Sequence, residues 1–264
     1  MASAEEQLFK LQQIISQTND PQGPDEYTET VYFTQFQGLF HVEYYGSSYE
    51  GTYQSLLQTL CDPDVAGKLK SLAIRGPDEG ANGTRNWDFT PLIEAQAEFS
   101  NLTTFFVEPT APEHHNQSII GVDYEEEGQI SSLLSQMPSL KALTIPSAPD
   151  DSFFERPEHP LAVLRVDSGF SHQNFIHNFS KSTCFAQIKM LDFGDYNQRY
   201  MENYSEECTP LPDYEELFKS QAFQRMNCFN LRNPGLTAEQ LAQLAQIRQE
   251  VSFYVIQAHG EYIR

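Results

Sequence analysis

Cations are what this chain has least of. Sixteen lysines and arginines stand against 37 aspartates and glutamates in 264 residues, a formal charge of −21 at neutral pH. A surface so poor in positive charge repels phosphate backbones and anionic lipid headgroups, so no nucleic acid and no membrane is expected among its partners. Cysteine is scarce as well. Cys61, Cys184, Cys208 and Cys228 form no C-x-x-C pair and no zinc-type spacing, which argues for reduced thiols rather than a disulfide framework or metal knuckle. Long apolar runs are missing: no stretch approaches the ~18 residues of a membrane span. The opening "MASAEEQLFKLQQIISQ" lacks the basic start and apolar block of a secretory signal, so a cytoplasmic location is expected. On that footing, the N-x-S/T matches at Asn82, Asn101, Asn116, Asn178 and Asn203 reflect composition rather than glycosylation.

Catalytic signatures are also missing. G-x-S-x-G, a phosphate-binding glycine loop, G-x-G-x-x-G and H-E-x-x-H do not occur. "DSGFSH" (167–172) brings Asp, Ser and His together only along the chain. A triad is defined by three-dimensional geometry, so the stretch reads as a turn and helix cap. His114 and His115 are adjacent and cannot easily face one ion, and the acidic stretch 202–216 lacks calcium-loop spacing. No catalytic, cofactor-binding or metal-ligating set is expected.

What the chain does contain is one phrase written repeatedly. Hydrophobic residues make up 39% and aromatics 12%, enough to build a core. Many of them follow the template apolar-x-x-apolar-x-apolar. Its copies are Leu39-Val42-Tyr44, Leu69-Leu72-Ile74, Leu102-Phe105-Val107, Leu140-Leu143-Ile145 and Leu161-Leu164-Val166, then Ile188-Leu191-Phe193, Met226-Phe229-Leu231 and Val251-Tyr254-Ile256. Their spacing runs from 21 residues (140 to 161) to 38 (102 to 140), the length of one structural unit. Between most copies lie segments with apolar residues at helical spacing: 52–60, 88–99, 126–137, 172–182, 213–223 and 237–250. Asp88, Asp213 and Thr237 are placed to cap such helices, the last with a glutamine three residues on. The fourth-to-fifth interval holds "DDSFFERPEHP" and predicts only a 3₁₀ turn. At the N-terminus, 4–17 reads as an amphipathic helix, 19–26 as a linker, and 28–47 as a strand pair turning at Gln37-Gly38.

A strand with one helix cannot bury its apolar face alone, whereas stacked copies share a core behind a parallel sheet. In this the sequence resembles the leucine-rich-repeat superfamily over roughly residues 39 to 258. The long helix-bearing units look like the ribonuclease-inhibitor style of that fold. The resemblance implies an α/β solenoid of about eight units, with the sheet on its concave face and helices on the convex one. Residues 1–38 would form the N-terminal helix and capping strand region, and 39–264 the solenoid, as a single domain overall. The chain departs from the family where Asn or Cys usually bonds the turn after each strand. Those places hold Pro77, Thr110, Ala148, Gly169, Tyr196, Pro234 and His259. A generic α/β sheet protein is the alternative.

Strand alternation predicts which residues the open sheet displays. If the template positions point inward, Arg75, Phe106, Glu108, Arg165, Asp167, Asp192 and Arg232 point outward, as do Phe253, Val255 and Gln257. The acid excess follows the strands, in 76–80, 122–128, 148–159, 193–196 and 202–216. That placement predicts an acidic edge, including Glu125, Glu126, Asp195 and Tyr196, against solvated helix starts as the plainer explanation. Trp87, Phe89, Phe153, Phe154, Tyr196, Tyr200, Tyr204 and Tyr214 gather in the same insertions, as hot spots for a partner or as anchors of long loops. The leading expectation is a non-enzymatic protein-binding module whose partner is a basic protein, in a narrower form an inhibitor or immunity-type protein. The alternative is an enzyme with a site in loops 76–98, 108–129 or 193–216.

Overall fold

Alternation of apolar and polar residues along short strands dictates a half-buried sheet, and the computed structural model contains one. It describes residues 2–19, 27–80, 83–196 and 204–258. The chain opens with α1 (Ala4–Thr18), then β1 (Thr30–Phe36) and β2 (Leu39–Tyr45). Next come α2 (Gly51–Leu60), α3 (Pro63–Lys68), β3 (Leu69–Arg75), β4 (Thr84–Trp87), α4 (Thr90–Glu94), β5 (Thr104–Val107) and β6 (Gln117–Ile120). Then follow α5 (Gln129–Ser135), β7 (Ala142–Ile145), a 3₁₀ turn (Asp151–Phe154), β8 (Val163–Asp167), α6 (Phe175–Lys181) and β9 (Met190–Gly194). The last elements are α7 (Tyr204–Glu207), α8 (Leu211–Lys219), α9 (Gln221–Gln224), β10 (Cys228–Arg232), α10 (Ala238–Ile247) and β11 (Ser252–Ile256).

Nine strands form one sheet in the order β1-β2-β3-β5-β7-β8-β9-β10-β11, which is chain order with β4 and β6 set aside. Only β1 and β2 are antiparallel, joined through Gln37 and Gly38 at positive φ, and every later pairing is parallel. The result is a mixed α/β structure with a mostly parallel, open sheet and helices. No described helix is long and apolar enough to cross a membrane.

Register aligns the phrase across the sheet. Val42, Leu72, Phe105, Leu143, Leu164, Leu191 and Phe229 form one continuous row, and all are buried. They join the buried faces of the helices in a core that runs from Ala4 to Val251. Fully burying each such side chain is worth about 1.5–3 kcal/mol.

The last copy is shifted by one residue relative to the sequence reading. Phe229 pairs in register with Phe253, and Leu231 with Val255, so these two stand in the inward rows, Phe253 half-buried and Val255 still exposed at the sheet edge. Phe253 stacks on Phe229 at 5.6 Å and meets Phe218 edge-on at 5.1 Å. Tyr254 and Ile256, the residues assigned to the core, are exposed on this edge strand. In "VSFYVI" every residue but the serine is apolar, and ring packing fixes the register that the hydropathy pattern leaves undecided.

The long insertions hold a second sheet, the parallel pair β4 and β6, which the sequence reading does not contain. Trp87 at the end of β4 is fully buried against Tyr53 and Tyr44, and its indole N–H donates to Ser118 Oγ at 3.1 Å. Phe89, Phe153 and Tyr214 are fully buried as well, so these insertion aromatics are anchors rather than displayed hot spots. Tyr200, His259 and the linker from residue 20 to 26 lie outside the described residues.

Candidate functional site

β3, β8 and β10 end in the charged residues Arg75, Asp167 and Arg232, and in a parallel sheet the C-terminal strand ends lie on one side. The C-terminal ends of β3, β5, β8, β9 and β10 together form a cleft of about 380 Å³. Open α/β sheets characteristically take their ligands at this edge. Of the predicted partner-binding residues, Arg75, Phe106, Glu108, Arg165, Asp167, Asp195, Tyr196 and Arg232 all line this cleft. The segment Pro109–Pro112, Gln117 of β6, and Gly169, Phe170 and Gly194 complete its walls.

Two of the three arginines of the cleft are held in ion-pair networks. Arg75 donates from Nε to Glu43 at 2.9 Å and from Nη1 to Glu108 at 3.1 Å, and its guanidinium lies 4.5 Å from the centre of the Phe106 ring. Partial burial works against its charge, but the two glutamates outweigh that and raise its pKa above the ordinary arginine value. Arg232 donates from Nε to Asp192 at 2.5 Å and from Nη2 to Asp167. Here too burial opposes the charge, and Asp167 and Asp192 raise the pKa.

The second network depends on a missing side chain. Asp167, Gly194 and Arg232 are neighbours in register on β8, β9 and β10, so the ion pair must cross the middle strand. A Cβ on Gly194 would lie 2.8 Å from Arg232 Nη1 and 2.9 Å from Asp167 Oδ1. Only glycine leaves that bridge its path. The sequence reading missed Gly194, although its place at a strand end in "FGDY" was a usable signal.

Asp195 and Tyr196 line the cleft but are themselves buried, and their polar atoms are committed to holding loops. Asp195 accepts from the Tyr196 amide at 3.0 Å, from the Thr209 amide at 3.0 Å and from the Tyr214 hydroxyl at 2.8 Å. Burial pushes its carboxyl up against the pull of these donors. The Tyr196 hydroxyl accepts from the His172 amide and donates to the Phe170 carbonyl, pinning the 168–173 turn. Gln173 N donates to Ser171 Oγ and Asn174 N to His172 Nδ1, the bonds of a turn; the expected helix cap is absent, because α6 starts after Asn174 without a side-chain cap.

Other predicted residues lie apart. Asp192 does not line the cleft: it is buried on the same sheet face, one oxygen held by Arg232 and the second accepting from Asn230 at 3.1 Å. Glu125 is exposed on the loop before α5, next to Tyr124, whose ring packs edge-on against Phe170 of the cleft wall. Glu126 is buried instead of displayed. It accepts from the amides of Gly128, Ile130 and Asp150, tying the start of α5 to the 3₁₀ turn, and burial raises its pKa. Its role is that of a cap. The acidic edge thus keeps Glu79, Asp123, Glu125 and Glu127 exposed while Glu126 and Asp195 turn inward.

One cluster has metal-like composition. His177 Nδ1 lies 3.3 Å from both Asp213 and Glu216, between α6 and α8. His177 Nε2, however, lies 2.7 Å from Lys181 Nζ. With Nε2 accepting from the lysine and Nδ1–H donating to the carboxylates, the imidazole is satisfied by protein groups alone. His115 Nδ1 pairs with Asp78 at 2.6 Å, away from its neighbour His114.

Comparison with known proteins finds no family model, no curated protein and no solved structure that matches this chain.

Proposed function

We propose that this chain is a leucine-rich-repeat-like solenoid of about eight units, acting as a non-enzymatic protein-binding module. Its partner is a basic protein, met by the outward sheet face and the acidic loops beside it. The narrower form of this reading is an inhibitor or immunity-type protein that covers a basic surface.

The convergence of Arg75, Phe106, Glu108, Arg165, Asp167 and Arg232, from β3, β5, β8 and β10 or just beyond their ends, on one cleft is the observation that carries the reading. Strands laid side by side in chain order, with β4 and β6 set aside, give the continuous face this reading needs. The acids of the cleft favour display over proton transfer, because Glu108 and Asp167 are held by arginines and Asp195 by hydrogen bonds. With a net charge of −21, association with a cationic surface is fast and salt-dependent.

Capture from a native extract on immobilised full-length protein, at about 50 and about 500 mM salt, tests this. Partners of high isoelectric point that release at the higher salt are expected. Retention of mainly acidic partners, or retention indifferent to salt, would reject the electrostatic reading.

A further inference from the structure

The charges of the cleft do not cancel residue by residue. Arg75 is shared between Glu43 and Glu108, and Arg232 is clamped between Asp167 and Asp192. Arg165 lies on β8 with Asp192 beside it in register, but both oxygens of Asp192 are engaged, one by Arg232 and one by Asn230. Among the described residues Arg165 has no ion-pair partner, and its Nε–H is shielded from solvent without an acceptor. A guanidinium in that state is the strongest unmet hydrogen-bonding demand in the cleft, since a shielded N–H is unfavourable until something accepts from it.

We propose that Arg165 anchors a carboxylate-binding site. The ligand carries one carboxylate beside an apolar or aromatic body, with the carboxylate on the guanidinium fork and the body against Phe106, Phe170 and Pro109. The planar fork of arginine matches a carboxylate in two parallel hydrogen bonds. Arg165 is the one cleft arginine without an ion-paired carboxylate among the described residues, while Arg75 and Arg232 each face two, so a ligand carrying a single negative charge can pair with it at the least repulsion from the acids around it. A phosphate dianion would meet Glu108 and Asp167 with a second negative charge, inside a strongly acidic molecule. The cleft volume of about 380 Å³ admits a group of side-chain size.

Such a carboxylate is supplied either by a free small acid or by a partner chain, as its C-terminus or an acidic side chain. The second source rests on the docking role of this face and reconciles it with a basic partner. The field of the whole molecule draws in the cationic surface, while one carboxylate of that partner is seated at Arg165.

The test uses the full chain, with N-acetylphenylalanine and N-acetylphenylalaninamide as probes. Binding is followed by calorimetry and by the ¹⁵N–¹H signals of the arginine Nε groups. The acid is expected to bind and to move the Arg165 signal, and the amide to bind about tenfold or more weakly. Arg165→Gln is expected to lose binding by a similar factor at an unchanged melting temperature, and Arg165→Lys to restore part of it. Equal binding of acid and amide, full binding by Arg165→Gln, tighter binding of inorganic phosphate, or no binding of the acid would each overturn the proposal. A hexapeptide ending in a free phenylalanine carboxylate separates the sources. Tighter binding than N-acetylphenylalanine assigns the site to a partner chain, and equal binding assigns it to a small acid. Because the extract capture is read independently, failure of the carboxylate site and failure of the docking role give different results.

Discussion

Asp195 condenses the residue-scale physics of this protein. It follows the last residue of β9 and stands where an exposed acid was expected, yet it is almost fully buried. A buried carboxylate survives only by collecting donors, and Asp195 takes two amides and a tyrosine hydroxyl. Burial outweighs these donors and raises its pKa in the folded state. The linkage sign follows. A group with a raised folded-state pKa contributes stability in acid, and that contribution is lost as pH rises through the folded-state value. The substitution Asp195→Asn keeps an acceptor for the amides and removes the buried charge. Its gain in melting temperature over the parent is therefore expected to grow from about pH 4 to about pH 8. A difference that stays flat or shrinks over that range would show that Asp195 is not held up by burial.

At the scale of elements, local chemistry and tertiary packing contribute unequally. α10 begins with a complete capping box: Gln240 N donates to Thr237 Oγ1, and Thr237 N donates to Gln240 Oε1. This cap is exposed and independent of the cleft, so Thr237→Ala should lower stability by about 1 kcal/mol in denaturant unfolding and leave ligand binding unchanged. A loss below the error of the measurement would mean that α10 is held by Leu244 and its packing alone. Asp213 behaves otherwise. It lies inside the first turn of α8, which follows Pro210, and its carboxylate faces His177. Asp88 sits one residue before the cap of α4 and accepts from Thr90 N at 2.9 Å. Helix starts were thus legible to within a few residues, because capping is a local property. The pair β4 and β6 was not legible: "TRNW" and "QSII" are too short to carry a period. Their pairing spans a long stretch of intervening chain, from Thr84 to Gln117.

For the whole molecule, the imbalance of 16 basic against 37 acidic residues sets the terms. Self-repulsion opposes the folded state, and dissolved salt screens it. Raising sodium chloride from about 20 to about 500 mM is expected to raise the melting temperature. A constant or falling value would mean that local ion pairs such as Arg232 with Asp167 and Asp192 dominate over net charge. The cleft stands out against this background, because three arginines gather where the rest of the surface is acidic.

Residue order was enough to define the repeated strand, its inward rows from Val42 to Phe229, and the outward identity of Arg75, Phe106, Arg165 and Arg232. Those follow from side-chain alternation, a property of each strand taken singly. Which of these residues meet was decided by packing. The register across β8, β9 and β10 places Gly194 between Asp167 and Arg232 and gives Asp192 to Arg232 instead of to its neighbour Arg165. Burial turned Asp195 and Glu126 inward, and ring stacking on Phe229 shifted β11 by one residue. Pairing between distant segments depends on the competition among all available partners, and that competition is settled only when the strands lie side by side.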